Sequence, residues 1–201
     1  MDTDDALSVR DLYDTPSDLV RKKVLSRLDA HCRHFIRLSP FLVIASSDET
    51  GADATPRGDA PGFVVVQDDR HLLIPDRRGN NRIDTLQNVE RNPQVGLLFM
   101  VPGVNETLRV NGTGAIVADR KLLEPMAAQG KIPASALLVQ VHEAFFHCGK
   151  AMIRSRLWQA DAQIERSSFP SLGRIVADQI AGVDADAAEK NLEEAYRTRL
   201  Y

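Results

Sequence analysis

The sequence predicts a mainly β, α+β protein built on an antiparallel barrel with flanking helices. Six or seven segments between residues 41 and 146 have the length and residue types of strands, and short turns join most of them. Helical patterns occupy both ends of the chain, and two more are inserted between strands. Because neither a glycine-rich dinucleotide loop nor a Walker loop is present, a dinucleotide-binding fold is unsupported. An antiparallel barrel surrounded by helices fits these observations.

The composition excludes several classes of protein. The 201 residues suffice for one sizeable domain with or without a helical appendage, and their 43% hydrophobic content is ordinary for a globular chain. A net charge of −3 argues against a nucleic-acid partner, and no apolar run approaches the ~20 residues that a membrane span needs. The acidic residues 1–5 do not resemble a signal peptide, and two cysteines predict no disulfide framework. We expect a cytoplasmic protein.

Residues 1–38 are expected to form a helical segment that packs on the barrel. Ser17 is placed to cap a short first helix. Asp29 is placed to cap a second helix, which should end before Pro40 and bury one apolar face made of Cys32, Phe35, Ile36 and Leu38.

Residues 39–160 are expected to form the barrel. Alternating or continuous apolar patterns predict strands at residues 41–46, 52–57, 63–66, 71–74, 95–101, 107–117 and 136–146. Apolar residues at helical spacing predict one inserted helix that stops at Asn92-Pro93 and a second that starts at Asp119.

Residues 161–201 are expected to form a helical tail. Asp184 opens a long run of helix-forming residues, in which acids come early and arginines late, as the helix dipole prefers. The chain should therefore have a helical segment, a barrel and a tail.

The segment 74–82 reads Ile-Pro-Asp-Arg-Arg-Gly-Asn-Asn-Arg and lies where a predicted strand gives way to a predicted helix. Backbone N–H groups at a helix N-terminus lack partners and attract anions, and arginine offers two parallel hydrogen bonds to phosphate. Arg77, Arg78 and Arg82 could therefore grip a phosphate. A solvated turn is the alternative, and this segment alone leaves both open.

A second basic cluster follows the last predicted strand. Lys150, Arg154 and Arg156 occur with no acid between residues 147 and 160, and Lys150 and Arg154 would share a helical face. An anionic partner explains such like charges better than a solvated surface. Trp158 could pack on a planar ligand, but a structural role in the core is favoured for this residue taken singly.

A third candidate site is the turn that contains Arg57, Gly58 and Asp59, where glycine permits close approach of a ligand to the backbone. A structural hairpin with a surface ion pair is the alternative, and without further context it is favoured. The pair His147-Cys148 is interpreted as a buried thiol beside a packed imidazole. The histidines near Cys32 do not form a metal-ligand set, so no metal site is predicted.

Taken in order, these residues resemble the pyridoxamine 5'-phosphate oxidase-like family of FMN-binding split barrels, and within it a subgroup regarded as FMN-dependent enzymes of unknown substrate. The resemblance depends on the strand, the loop 74–82, a helix closing on Asn92-Pro93 and the apolar strand 95–101. It extends over residues 35–160, with support from the segments 57–64 and 146–158.

The resemblance implies a six-stranded antiparallel split barrel and a homodimer with two FMN molecules at the subunit interface. It makes phosphate and ribityl ligands of Arg57, Arg77, Arg78, Asn81 and Arg82. It counts the turn residues Gly58 and Asp59 among the cofactor-binding residues as well, and Pro75 and Asp76 would approach the cofactor by their backbone. The other subunit would contribute Lys150, Arg154, Arg156 and Trp158.

The implied function is an FMN-dependent oxidoreductase acting on an unidentified small organic molecule. No catalytic residue is predicted, because the flavin carries the redox chemistry. A flavin-binding carrier or sensor without activity remains an alternative, as does a barrel that binds haem or F420. Arg77 and Arg82 favour a phosphate-bearing ligand over haem. The helical tail replaces the oxidase's substrate-binding segment, so pyridoxamine phosphate is not predicted as the substrate.

Overall fold

The structure, a computed structural model, describes residues 8–201. The acidic start and the beginning of the predicted segment 1–38 lie outside this range. The helices are α1 (Asp18–Lys22), α2 (Ala30–Leu38), α3 (Asp84–Arg91), α4 (Arg120–Leu123), α5 (Lys150–Ser155), α6 (Leu172–Gln179) and α7 (Ala185–Thr198). The strands are β1 (Phe41–Asp48), β2 (Gly51–Gly58), β3 (Val65–Val66), β4 (His71–Pro75), β5 (Gln94–Met100), β6 (Thr107–Val117) and β7 (Ala136–His147).

All strands belong to one antiparallel sheet in the order β2-β1-β5-β6-β7-β4-β3. The fold class is confirmed: a split barrel with flanking helices, α+β overall. The count of six strands is wrong by one, since the described residues form seven. The additional strand β3 has two residues and pairs only with β4, because it lies at the edge of the sheet. It begins two residues later than the predicted strand 63–66.

Helix α2 covers the core of the barrel. Asp29 caps it, and its carboxylate accepts the Cys32 amide at 2.8 Å. Cys32, Phe35 and Ile36 are buried against inward-facing residues of the sheet, as predicted, but Leu38 is 47% exposed. The apolar face of α2 is thus one residue narrower than its sequence suggests.

A β-bulge bends the longest strand. Asn111 pairs with Glu143 and Gly112 pairs with Val141, so His142 is an extra residue in β7. A Cβ atom at Gly112 would lie 2.0 Å from the Gln140 carbonyl oxygen, so this close approach requires glycine. The bulge moves Glu143 and the residue two further on, Phe145, to the outer face of the barrel.

Helix α3 and the segment around α4 hold the loop that follows β4. Asn88 of α3 is buried and donates to Ser46 Oγ at 3.1 Å and to Asp53 Oδ2 at 2.7 Å, which fixes α3 against β1 and β2. On the other side a small cluster packs α4 on β4 and β7, and it consists of Leu73, Leu123, Met126 and Ala136. The loop between β4 and α3 is therefore held at both ends.

Candidate functional site

A cavity of about 600 Å³ lies where β4 ends and α3 begins. It is lined by residues from β2, the loop 76–83, the start of α3 and the segment 131–134, and by Tyr201, which follows the end of α7. Of the predicted site residues, the cavity brings together Arg57, Asp76, Arg77, Arg78, Asn81 and Arg82.

Cationic side chains outnumber acidic ones around this cavity. Its cations are Arg57, Arg77, Arg78, Arg82 and Lys131, and its acids are Asp76 and Asp84. Two of the arginines have acidic partners within the lining: Arg57 Nη2 lies 3.7 Å from Asp76, and Arg82 Nε donates to Asp84 at 2.8 Å. Arg78 is exposed and makes no ion pair within residues 8–201. The surplus of positive charge suits an anionic ligand.

The loop adopts unusual backbone conformations before α3. Asn81 and Ile83 both have positive φ angles, of 60° and 53°. A β-branched residue rarely occupies this left-handed region, so Ile83 is strained. Ile83 is also the N-cap of α3 and gives no side-chain hydrogen bond there. The first N–H groups of α3 therefore remain for water or a ligand.

Thr85 provides a hydroxyl group without a partner. The residue is 2% exposed and lies between the cavity and a neighbouring void of about 10 Å³, and its buried Oγ1 atom makes no hydrogen bond with the described residues. Buried hydroxyl groups are normally hydrogen-bonded, so such an atom calls for an explanation. An oxygen-rich ligand at the start of α3 would supply its partner.

The side chain of Arg77 makes hydrogen bonds to two other parts of the chain. Its Nε atom donates to Asp59 Oδ2 at 2.6 Å, and one of its terminal nitrogens donates to the Met126 carbonyl at 2.7 Å. The side chains of Arg77 and Asp59 are 16% and 4% exposed. Arg77 therefore ties the loop to β2 and to the α4 segment, in addition to lining the cavity.

The two aspartates near the cavity have opposite pKa shifts. Burial raises the pKa of Asp59, but hydrogen bonds from Tyr201, a backbone amide and Arg77 outweigh it and lower the net value. Burial also raises the pKa of Asp76, and the Arg57 guanidinium offsets only part of that effect. Asp59 is thus stabilised as an anion, whereas the charge on Asp76 is costly.

Tyr201 and Lys131 are cavity residues that sequence reasoning missed. The Tyr201 hydroxyl donates to Asp59 Oδ1 at 2.6 Å, and Lys131 Nζ donates to the Tyr201 backbone oxygen at 2.6 Å. The hydrogen bond to Asp59 raises the pKa of Tyr201, which keeps the phenol protonated. No sequence signal links Tyr201 to Asp59, since 142 positions separate them.

Three other predicted residues adjoin the cavity without lining it. Pro75 is buried and borders a neighbouring void of about 10 Å³. Gly58 is the exposed last residue of β2, and Asp59 reaches the cavity only through Arg77 and Tyr201.

The basic cluster at α5 does not wall this cavity in a single chain. The cavity adjoins the first residue of β7, whereas α5 follows its last. Lys150 and Arg154 both lie on the helix α5, four residues apart, and both are exposed. Arg156 pairs with Asp161, just beyond the acid-free stretch. The Trp158 indole N–H donates to the Val104 carbonyl at 2.9 Å, so this half-buried ring packs on the turn after β5.

The prediction of a buried thiol at Cys148 is wrong, because this residue lies in the exposed turn between β7 and α5. A backbone hydrogen bond from Lys150 lowers the pKa of its thiol, and two nearby lysine charges add to that effect. Within residues 8–201, no group of three or more His, Cys, Asp or Glu side chains is placed to hold a metal ion. In the same range no helix has both the length and the apolar character to cross a membrane.

The sequence profile described as "Pyridoxamine 5'-phosphate oxidase" matches residues 28–148. This match covers more than half of the chain, including every strand of the barrel. The chain belongs to the pyridoxamine 5'-phosphate oxidase family, and the resemblance seen in the sequence is confirmed. A comparison with curated proteins finds no match.

Several solved structures are similar in shape. HupZ of Group A Streptococcus is 20% identical, covering 59% of this chain and 93% of its own, with a TM-score of 0.48. General Stress Protein 26 from Bacillus anthracis is 15% identical, covering 57% and 88%, with a TM-score of 0.43. An FMN-binding protein from Syntrophomonas wolfei is 7% identical, covering 58% and 88%, with a TM-score of 0.43.

Proposed function

We propose that this cavity holds the phosphate and ribityl part of FMN, and that the protein is an FMN-dependent oxidoreductase acting on a small organic molecule. The observation that carries the proposal is the unpartnered hydroxyl of Thr85, a residue that lines a cationic cavity at the uncapped start of α3. Membership of the pyridoxamine 5'-phosphate oxidase family supports a flavin as the ligand.

The residues of the cavity fit a phosphate group. Arg78 has no competing ion pair among the described residues, and Arg82, which pairs with Asp84, directly precedes the N-cap Ile83 of α3. Both can give charge-assisted hydrogen bonds, while the first amides of α3 and Thr85 Oγ1 would donate from behind. The bound flavin would supply electron transfer to or from the substrate, and the chain's own residues would bind and orient it.

The proposal includes a homodimer, because α5 lies apart from the cavity of its own chain. Lys150, Arg154 and Trp158 would then approach the flavin from a second copy. A cross-strand row on the outer face of the barrel supports such a contact: Val43 pairs with Leu98, Leu98 with Arg109, and Arg109 with Phe145. These residues are only partly buried, and Arg109 Nε is buried without a partner in the described part of the chain.

The first test is the absorption spectrum of the purified protein. We expect a yellow protein that releases FMN, and neither FAD nor F420, on denaturation, and that regains the spectrum when FMN is added back. A colourless protein that cannot be reconstituted with FMN would refute the proposal. Reduction of bound FMN by NADH or NADPH, followed by reoxidation with turnover, would separate an enzyme from a carrier.

The second test concerns the dimer. Leu98→Arg places a charge in the middle of the cross-strand row, so we expect a monomer by size-exclusion chromatography with light scattering, and weaker FMN binding. Val9→Arg is the matched control, since Val9 is 75% exposed in the N-terminal turn. Dimeric Leu98→Arg protein with normal FMN affinity would exclude this face as the interface.

A further inference from the structure

The helical arm, defined here as residues 161–201, packs chiefly on itself. Helices α6 and α7 form a hairpin, in which the Gly173 amide donates to Glu189 at 3.0 Å. A Cβ atom at Gly173 would lie 2.6 Å from the Glu189 backbone nitrogen, so the two helices are in close contact. Contacts between the helices of this hairpin and the barrel are sparse by comparison.

Tyr201 forms a defined attachment between this arm and the barrel. Its hydroxyl group donates to Asp59 at the end of β2, and its backbone oxygen accepts from Lys131 before β7, both at 2.6 Å. Its ring lies 5.8 Å from the Arg77 guanidinium, within the range of a cation–π contact. One residue therefore contacts three separate parts of the cavity rim.

We propose that Tyr201 is a latch that closes the helical arm over the cavity and controls the exchange of the anionic ligand. This inference rests on the proposed function for the identity of its ligand. Tyr201 is the one residue of the arm that lines the cavity, and moving it off the rim requires two hydrogen bonds to break, one of them to the Asp59 carboxylate. The α6–α7 hairpin would move about residues 156–171, which contain the left-handed Arg156 and two short 3₁₀ turns but no α-helix.

A latch predicts a specific kinetic signature. Losing a gate speeds entry and exit of the ligand together, whereas losing a ligand contact speeds exit only. Hydrogen bonds to charged groups are among the stronger ones in proteins, so removing the Tyr201 hydroxyl should raise both rates about tenfold. The equilibrium dissociation constant should then stay nearly unchanged.

The kinetic test compares Tyr201→Phe with wild type, using FMN as the probe and stopped-flow fluorescence as the readout. Tyr196→Phe is the matched control, since Tyr196 lies on the same arm, 58% exposed and without a side-chain hydrogen bond among the described residues. We expect faster association and dissociation in Tyr201→Phe and wild-type rates in Tyr196→Phe. Unchanged rates, or faster dissociation alone, would overturn the latch.

A second measurement needs no flavin, so it separates failure of the latch from failure of the proposed function. The chain has three tyrosines, which fluorotyrosine labelling resolves as three ¹⁹F resonances. Tyr201→Phe identifies the Tyr201 signal, and Lys131→Met removes one of its two hydrogen bonds. We expect Lys131→Met to move that signal toward the position of a solvated tyrosine, and to leave the other two unchanged. An unmoved Tyr201 signal would overturn the latch even if wild type binds FMN.

Discussion

The loop after β4 and the helix α5 are both basic, but the chain uses their charges differently. In the loop, the partly buried Arg77 forms an ion pair with Asp59, and the strained Ile83 leads into a helix that leaves its first amides free. On α5, Lys150 and Arg154 point into solvent without any such support. The loop has the features of a preorganised site in one chain, whereas α5 has only charge.

This difference shows why charge alone does not locate a site. An exposed ion or ion pair contributes little energy because water screens it. A buried hydroxyl without a partner and a backbone held in a costly conformation persist only when the surrounding structure maintains them. Thr85 and Ile83 are such features, and both lie at the loop. The comparison can be tested by removing one feature at a time.

Replacing Arg77 with alanine is expected to have the largest effect. The variant leaves the Asp59 carboxylate buried without its cationic partner, so the free energy of unfolding should fall by about 3–5 kcal/mol. Urea denaturation at pH 7 measures the change. Arg78→Ala is the control in the same loop, and its exposed side chain predicts a change within about 0.5 kcal/mol. Equal losses in the two variants would mean that the Asp59–Arg77 pair does not anchor the loop.

Replacing Thr85 with valine should separate ligand binding from stability. Because Thr85 Oγ1 has no partner in the described chain, valine should leave stability unchanged or slightly higher. The same change should weaken FMN binding about tenfold, since one hydrogen bond to a charged phosphate is lost. Fluorescence titration measures affinity, and Thr85→Ser is the control that keeps the hydroxyl. If serine and valine bind FMN equally well, the phosphate does not contact Thr85.

Much of the fold follows from local sequence patterns. The alternating residues 107–117 coincide with β6, and Asp29 caps α2 as its side chain predicts. The bulge at His142 could not be predicted, because an extra residue is defined only relative to the partner strand. The same limit applies to β3, whose length depends on how far β4 can pair with it.

The candidate site, like the fold, could be predicted only where a local sequence pattern marks it. The loop 74–82 is visible as a basic segment between a strand and a helix, and it does line the cavity. The pairing of Arg77 with Asp59 depends on how β2 and β4 meet across the open side of the barrel, and Tyr201 arrives from the far end of the arm. Such contacts arise from topology, which no local pattern encodes.

The double replacement of Lys150 and Arg154 by alanine tests whether the basic helix α5 contributes to ligand binding. If α5 of a second copy faces the flavin, FMN should bind about threefold to fivefold more weakly, as expected for two solvent-exposed charges, and the loss should shrink at high salt. The control is Arg120→Ala with Lys121→Ala on α4, which removes the same charge from exposed positions that do not line the cavity. Equal effects in the two double variants would remove α5 from the proposed site.

The smallest expected effect is the difference between Asp59 and Asp76 in how each changes stability with pH. The folded pKa of Asp59 lies below its ordinary value of 3.8, so its contribution to stability is present above that pH and is lost as pH falls through the folded pKa. The folded pKa of Asp76 lies above 3.8, so stability decreases as pH rises from 3.8 through that pKa. Asp76→Asn should therefore be up to about 1 kcal/mol more stable than wild type at pH 7, whereas Asp59→Asn should be less stable. Denaturation curves between pH 3 and pH 7 measure the stability of both variants. If Asp59→Asn were more stable than wild type, the ionised Asp59 carboxylate would destabilise the fold, because Arg77 and Tyr201 would then fail to offset the cost of its burial.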